Sequence, residues 1–104
     1  MKSFVFYALA AALYVAGGVF MKYSRGLTRL LPAIALIAAF STGALLQAWA
    51  MKREQLGPSY VVVLGLEAII AVAAGHLLFH ETITLKIFTG VVLVVMGIIV
   101  LRLA

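Results

Sequence analysis

The chain has 104 residues, 66% hydrophobic and only 11% charged, with a mean hydropathy of +1.24, which is more apolar surface than a soluble domain of this size can bury. Lipid is therefore the expected solvent, and a separate soluble domain is excluded. The net charge of +5 does not point to nucleic acid, because every Lys and Arg lies outside or at the ends of the apolar runs, where cations meet headgroups. The absence of cysteine excludes disulfides and thiolate metal sites.

Four apolar runs of membrane-spanning length, about 20 residues each, predict one transmembrane domain over 1–104 with helices at 4–21, 31–51, 56–79 and 83–103. The first run, Phe4 to Met21, follows Lys2 as a signal sequence would, but its length and the three further spans predict a retained helix. Tyr7, Tyr14 and Met21 recur every seven residues and share a helix face. Gly17 and Gly18 sit on or beside that face, small enough for a helix or ligand to approach the backbone. In the connection that follows, Tyr23 suits the membrane interface and Gly26 suits a helix stop.

The second helix starts near Leu31 with Pro32 in its first turn, where the missing amide hydrogen costs nothing. Ser41, Thr42 and Gly43 lie near its centre, and Trp49 marks its far end. The Ser-Thr pair either bonds back to its own helix or lines a polar cavity. The short charged connection Lys52-Arg53-Glu54-Gln55 predicts that helices two and three are antiparallel neighbours.

Helix three has Pro58 in its first turn and carries Tyr60, Leu64 and Glu67 on one face, at steps of four and three residues. Glu67 is a carboxylate in the middle of an apolar run. A charge at the centre of a bilayer costs roughly 2.5–3.5 kcal/mol on insertion scales, so such a group normally faces a cavity or a partner and serves transport. Gly65, two residues earlier, is placed to loosen or kink the helix. In helix four Gly90 and Gly97, seven residues apart, form a small-residue stripe suited to packing against another helix.

Threading four antiparallel spans puts Lys2, Lys52, Arg53 and Arg102 on one side of the membrane and Lys22, Arg25, Arg29 and Lys86 on the other. Since the Lys/Arg difference sets orientation, this balance predicts insertion in both directions. A chain that does so can pair with its own inverted copy, giving an inverted repeat built from two chains. His76 and His80 are one turn apart, with Glu81 following, as two metal ligands on one helix would be. A further ligand is not supported, and interfacial hydrogen bonding is the expected role. No nucleotide loop, nucleophile-base pair or redox motif occurs, so neither an enzyme nor a cofactor is expected.

Taken together, Met21-Lys22-Tyr23-Ser24-Arg25-Gly26-Leu27-Thr28-Arg29-Leu30 with Pro32, then Leu56-Gly57-Pro58-Ser59-Tyr60, then Phe79-His80-Glu81-Thr82-Ile83-Thr84 with Gly90 and Gly97, resemble the small multidrug resistance family of the drug/metabolite transporter superfamily. The resemblance implies an all-α bundle of four transmembrane helices in the bacterial inner membrane, paired as an antiparallel homodimer, or with a paralogue, through Gly90 and Gly97. It implies export of quaternary ammonium ions, guanidinium or similar cations in exchange for protons. The family's first-helix glutamate falls at Tyr14, its tryptophan one turn later at Gly17, and the tryptophan of helix three at Val63. Tyr60 matches, and Glu67 falls where the family usually has a small residue.

The sequence therefore predicts a transporter subunit in which Glu67, Tyr60, Tyr14 and Ser41 meet substrate or proton, while Gly17, Val63 and Leu64 line the cavity. Glu67 either replaces the missing carboxylate or is a structural group bonded to Ser41 or Tyr14. Two alternatives stay open: a non-coupling subunit of a heterodimer, and a transporter of neutral or lipid-linked metabolites.

Overall fold

Within a bilayer the backbone N–H and C=O groups of an apolar run must be satisfied inside the segment, and a helix does this for a single span. A computed structural model, which describes residues 2–103 and the side chains of 4–103, has that form. Its elements are α1 (Lys2–Tyr23), α2 (Leu30–Ala50), α3 (Leu56–Phe79) and α4 (Leu85–Leu103). All four are long and apolar enough to cross a membrane, and no strand occurs among the described residues. Met1, Ala104 and the Lys2 side chain, which entered the expected domain and charge balance, lie outside the described residues.

Polar side chains decide where the helices end. α1 runs two residues beyond the expected Met21, to a turn organised by Ser24. The Ser24 Oγ donates to the Met21 carbonyl at 2.7 Å and accepts from the Leu27 N–H at 3.2 Å. Arg25, Gly26 and Leu27 then take φ of 48°, 70° and 70°, so the reversal uses three left-handed residues in succession, with glycine in the middle. α4 begins at Leu85 rather than the expected Ile83, because Thr84 caps it by accepting the Ile87 N–H on its hydroxyl at 3.2 Å. Pro32 and Pro58 both fall in first turns, where no carbonyl lacks a donor on their account.

Measured between Cα atoms, α1 comes within 8 Å of both α2 and α3, and α4 comes that close to α3 alone. α2 and α3 bring no Cα atoms within 8 Å of each other, so the expectation that consecutive helices two and three would be packed neighbours is corrected. Size explains it: Ala10 and Ala11 are fully buried, and their small side chains let α1 serve as a spine with a helix on either side. The core on this spine consists of Tyr7, Ala11, Val62, Val63 and Ile98. Tyr7 is 1% exposed and donates its hydroxyl to the Ser59 Oγ at 2.9 Å, tying α1 to α3.

Gly65 also has a different role from the one expected. α3 is continuous helix across it, and a Cβ there would lie 2.7 Å from Ile98 Cδ1 and 3.1 Å from Val94 Cγ1. The glycine is a notch that seats α4, not a hinge. At one end of the bundle Phe6 and Trp49 meet edge to face at 5.1 Å, with Lys52 over the Trp49 ring and Arg102 over that of Phe4. This is the amphipathic belt expected at a membrane interface.

Candidate functional site

Separating α2 from α3 over the α1 spine opens a trough, and Glu67 lies in it. The carboxylate side chain is half-buried and borders two adjoining clefts of about 330 and 230 Å³, which share Tyr14, Phe40 and Glu67. Helical periodicity brings Tyr60, Val63 and Leu64 to the smaller cleft with it. Val63 is buried, whereas Tyr60 and Leu64 are about half exposed. Among the described residues Glu67 has no side-chain hydrogen bond or ion pair; neither Ser41 nor Tyr14 bonds to it.

Tyr14 instead donates its hydroxyl to Gln47 Oε1 at 2.7 Å, and its ring stacks on Phe40 with centroids 5.8 Å apart. Two glycines make room for these rings. A Cβ on Gly17 would lie 2.7 Å from the Phe40 ring, and one on Gly43 would lie 3.0 Å from that of Tyr14. Gly17 therefore supports the aromatic wall from behind without lining either cleft. Gln47 is 6% exposed, and its Nε2 has no acceptor among the described residues. Leaving a buried amide donor unpaired costs about 1–3 kcal/mol, so this is a conspicuous group beside the carboxylate.

The larger cleft ends at Met21, Lys22, Gly75, Phe79 and Glu81. There Lys22 Nζ pairs with Glu81 Oε2 at 2.8 Å and lies 4.5 Å above the Phe79 ring, which Tyr23 also touches. Glu81 lies directly on Gly75, where any side chain would meet its carboxylate. Its backbone N–H donates to the Gly75 carbonyl at 3.2 Å, and its carbonyl contacts His76 Nδ1 at 2.9 Å. His80 takes a left-handed conformation with φ of 57° to end α3. His76, His80 and Glu81 thus build the α3 terminus, and the Lys22 charge is engaged by Glu81 rather than by Glu67.

Ser41 lies exposed on α2 and borders neither cleft, while Thr42 beside it bonds back to the Ala38 carbonyl at 2.8 Å. Gly90 and Gly97 are exposed on α4, with open space where a Cβ would stand. Sequence reasoning overlooked Gln47 and Phe40. The available signal for Gln47 was an amide in an otherwise apolar span; Phe40 carried none, since an aromatic in a lipid-exposed helix suits any face.

An unpaired carboxylate walled by the rings of Tyr14, Phe40 and Tyr60 can hold a proton or a small cation, because the rings favour positive charge as the carboxylate does. The profile described as Small Multidrug Resistance protein matches residues 2–94. A guanidinium exporter of Escherichia coli (strain K12) is 33% identical over 102 residues, covering 98% of this chain and 97% of its own. The guanidinium exporter of Salmonella typhimurium is 34% identical with the same coverage. Multidrug resistance protein EbrB of Bacillus atrophaeus is 34% identical over 102 residues, covering 98% and 87%. These alignments run almost end to end, over the three spans that build the trough and the fourth that packs on α3, so the chain belongs to the small multidrug resistance family and is a multi-pass membrane protein that transports small molecules.

Proposed function

We propose that this transporter exports a small organic cation from bacteria across the inner membrane in exchange for protons, with Glu67 as the group that holds one or the other. The observation that carries the reading is the unpaired Glu67 carboxylate in a cleft walled by Tyr14, Phe40 and Tyr60. The other two acids, Glu54 and Glu81, lie in connections between helices. A proton and a cation would compete for the one carboxylate, and such competition is the minimal device for exchange. The guanidinium exporters and the multidrug resistance protein among the relatives support a cationic substrate.

The working unit in this reading is an antiparallel homodimer. A half-buried carboxylate cannot face hydrocarbon without cost, and an inverted second copy would cover the trough and give the central site two equivalent exits. Balanced Lys/Arg counts on the two sides and the open Gly90 and Gly97 stripe on α4 support that assembly. The test is uptake into proteoliposomes under an imposed proton gradient, with Glu67→Gln against wild type. Glu67→Gln is expected to abolish pH-dependent transport while the dimer persists in chemical cross-linking; undiminished pH-dependent transport would remove Glu67 from the mechanism.

A further inference from the structure

The larger cleft is bordered by two carboxylates. Glu67 meets it part-way along α3 without a partner, and Glu81 meets it where α1 and α3 end. Glu81 is held there by its N–H on the Gly75 carbonyl, by its own carbonyl at His76 Nδ1, and by a carboxylate seated on Gly75, where the missing side chain leaves room. This second corner already contains a cation. Lys22 Nζ lies 2.8 Å from Glu81 Oε2 and 4.5 Å from the Phe79 ring centroid, between a carboxylate and an aromatic face that both favour positive charge. Both side chains of the pair are 54% exposed. An ion pair so exposed is weakly held, and the long lysine stem can carry its charge out to the headgroups, so Lys22 is a replaceable occupant.

The spacing of the two carboxylates sets a length. α3 is continuous from Glu67 to Gly75, and that step of helix rises about 12 Å. We propose that the larger cleft binds an extended dication, with one cationic end on Glu67 and the other in the place of Lys22 between Glu81 and Phe79. A monocation uses the first end alone. Once the first charge is seated, a tethered second charge is present at high effective concentration and displaces Lys22 for that reason. The inference rests on Glu67 being the cation site and adds a second cation site at the cleft's outer end.

The test is calorimetric titration of the purified full-length protein in detergent with three probes. The eight-carbon α,ω-diamine suits a span of about 12 Å; the amino alcohol of the same length keeps one charge, and the three-carbon diamine keeps both charges but falls short. Wild type is expected to bind the long diamine about fivefold more tightly than either control. Lys22→Gln should widen that preference to about twentyfold by vacating the corner, whereas Glu81→Gln should bring it within about twofold. Gly75→Ala, which keeps every charge and pushes the Glu81 carboxylate off its seat, should act as Glu81→Gln does. Lys22→Met replaces Lys22→Gln if the glutamine variant does not fold. Lys22→Gln and Glu81→Gln break the same ion pair, so a merely structural pair would move both variants in one direction. That result, or equal binding of the three probes by wild type and Lys22→Gln, overturns the inference. Glu67→Gln is scored separately on the amino alcohol, where lost binding keeps the Glu67 site standing whichever way the diamine falls. No binding of any probe by folded wild type overturns both.

Discussion

The bond between Tyr7 and Ser59 holds the spine helix to α3, and its contribution can be isolated. Tyr7→Phe removes only the hydroxyl; the ring keeps its place in the core with Ala11, Val62 and Val63. Ser59 is 5% exposed and loses its donor, but a serine in a helix can turn to a carbonyl one turn back, so the expected loss is about 0.5–1 kcal/mol. Ser59→Ala should cost more, about 1–2 kcal/mol, because the phenolic hydroxyl of a 1%-exposed Tyr7 has no backbone of its own within reach. The double variant leaves neither group stranded and should be no less stable than Ser59→Ala alone, a coupling of about 0.5–1 kcal/mol. Tyr7→Ala, by contrast, also empties the ring's volume and should cost about 3–5 kcal/mol. Reversible unfolding in mixed dodecylmaltoside and SDS micelles, followed by far-UV circular dichroism at fixed protein concentration, measures all four variants. Additive effects, with coupling below about 0.3 kcal/mol, would refute the claim that this hydrogen bond joins the two helices.

Gly65→Ala places a methyl against Ile98 and Val94, with an overpacking cost of about 1–3 kcal/mol that outweighs the ~0.5–1 kcal/mol gained from helix propensity. The same unfolding assay should show net destabilisation, reduced in an Ile98→Val background; stabilisation by Gly65→Ala alone would show that α4 does not depend on the notch. The Lys22–Glu81 pair is more than half exposed on both sides, so Glu81→Gln should cost below about 1 kcal/mol. The difference between variant and wild type should shrink in high salt, and a loss of several kcal/mol would mean that the pair governs the α3 terminus more than its exposure allows.

What could be read from the chain alone divides along a physical line. Glu67 stood out because a carboxylate among apolar residues needs an explanation, and the face it shares with Tyr60 and Leu64 followed from helical period. The partners across the trough were not legible. Gln47 and Tyr14 are 33 residues apart in sequence, and nothing local to either indicates the other. The Ser41 and Thr42 pair illustrates the same gap: both readings were open, and only the arrangement of α1 and α2 puts Ser41 outside the clefts while Thr42 bonds to its own helix.

The four spans and their approximate limits were determined by composition, because lipid accepts long apolar runs and demands that their backbones be satisfied as helices. Which faces meet was not, because lipid is as apolar as a protein core and leaves no contrast between the inner and outer sides of a helix. Small residues occur on several faces. Tertiary structure alone decides that Ala10, Ala11, Gly17, Gly43 and Gly65 are consumed inside the subunit while Gly90 and Gly97 stay open. It likewise decides that α1, rather than the short connection after α2, sets which helices are neighbours, and so that Glu67 faces a trough.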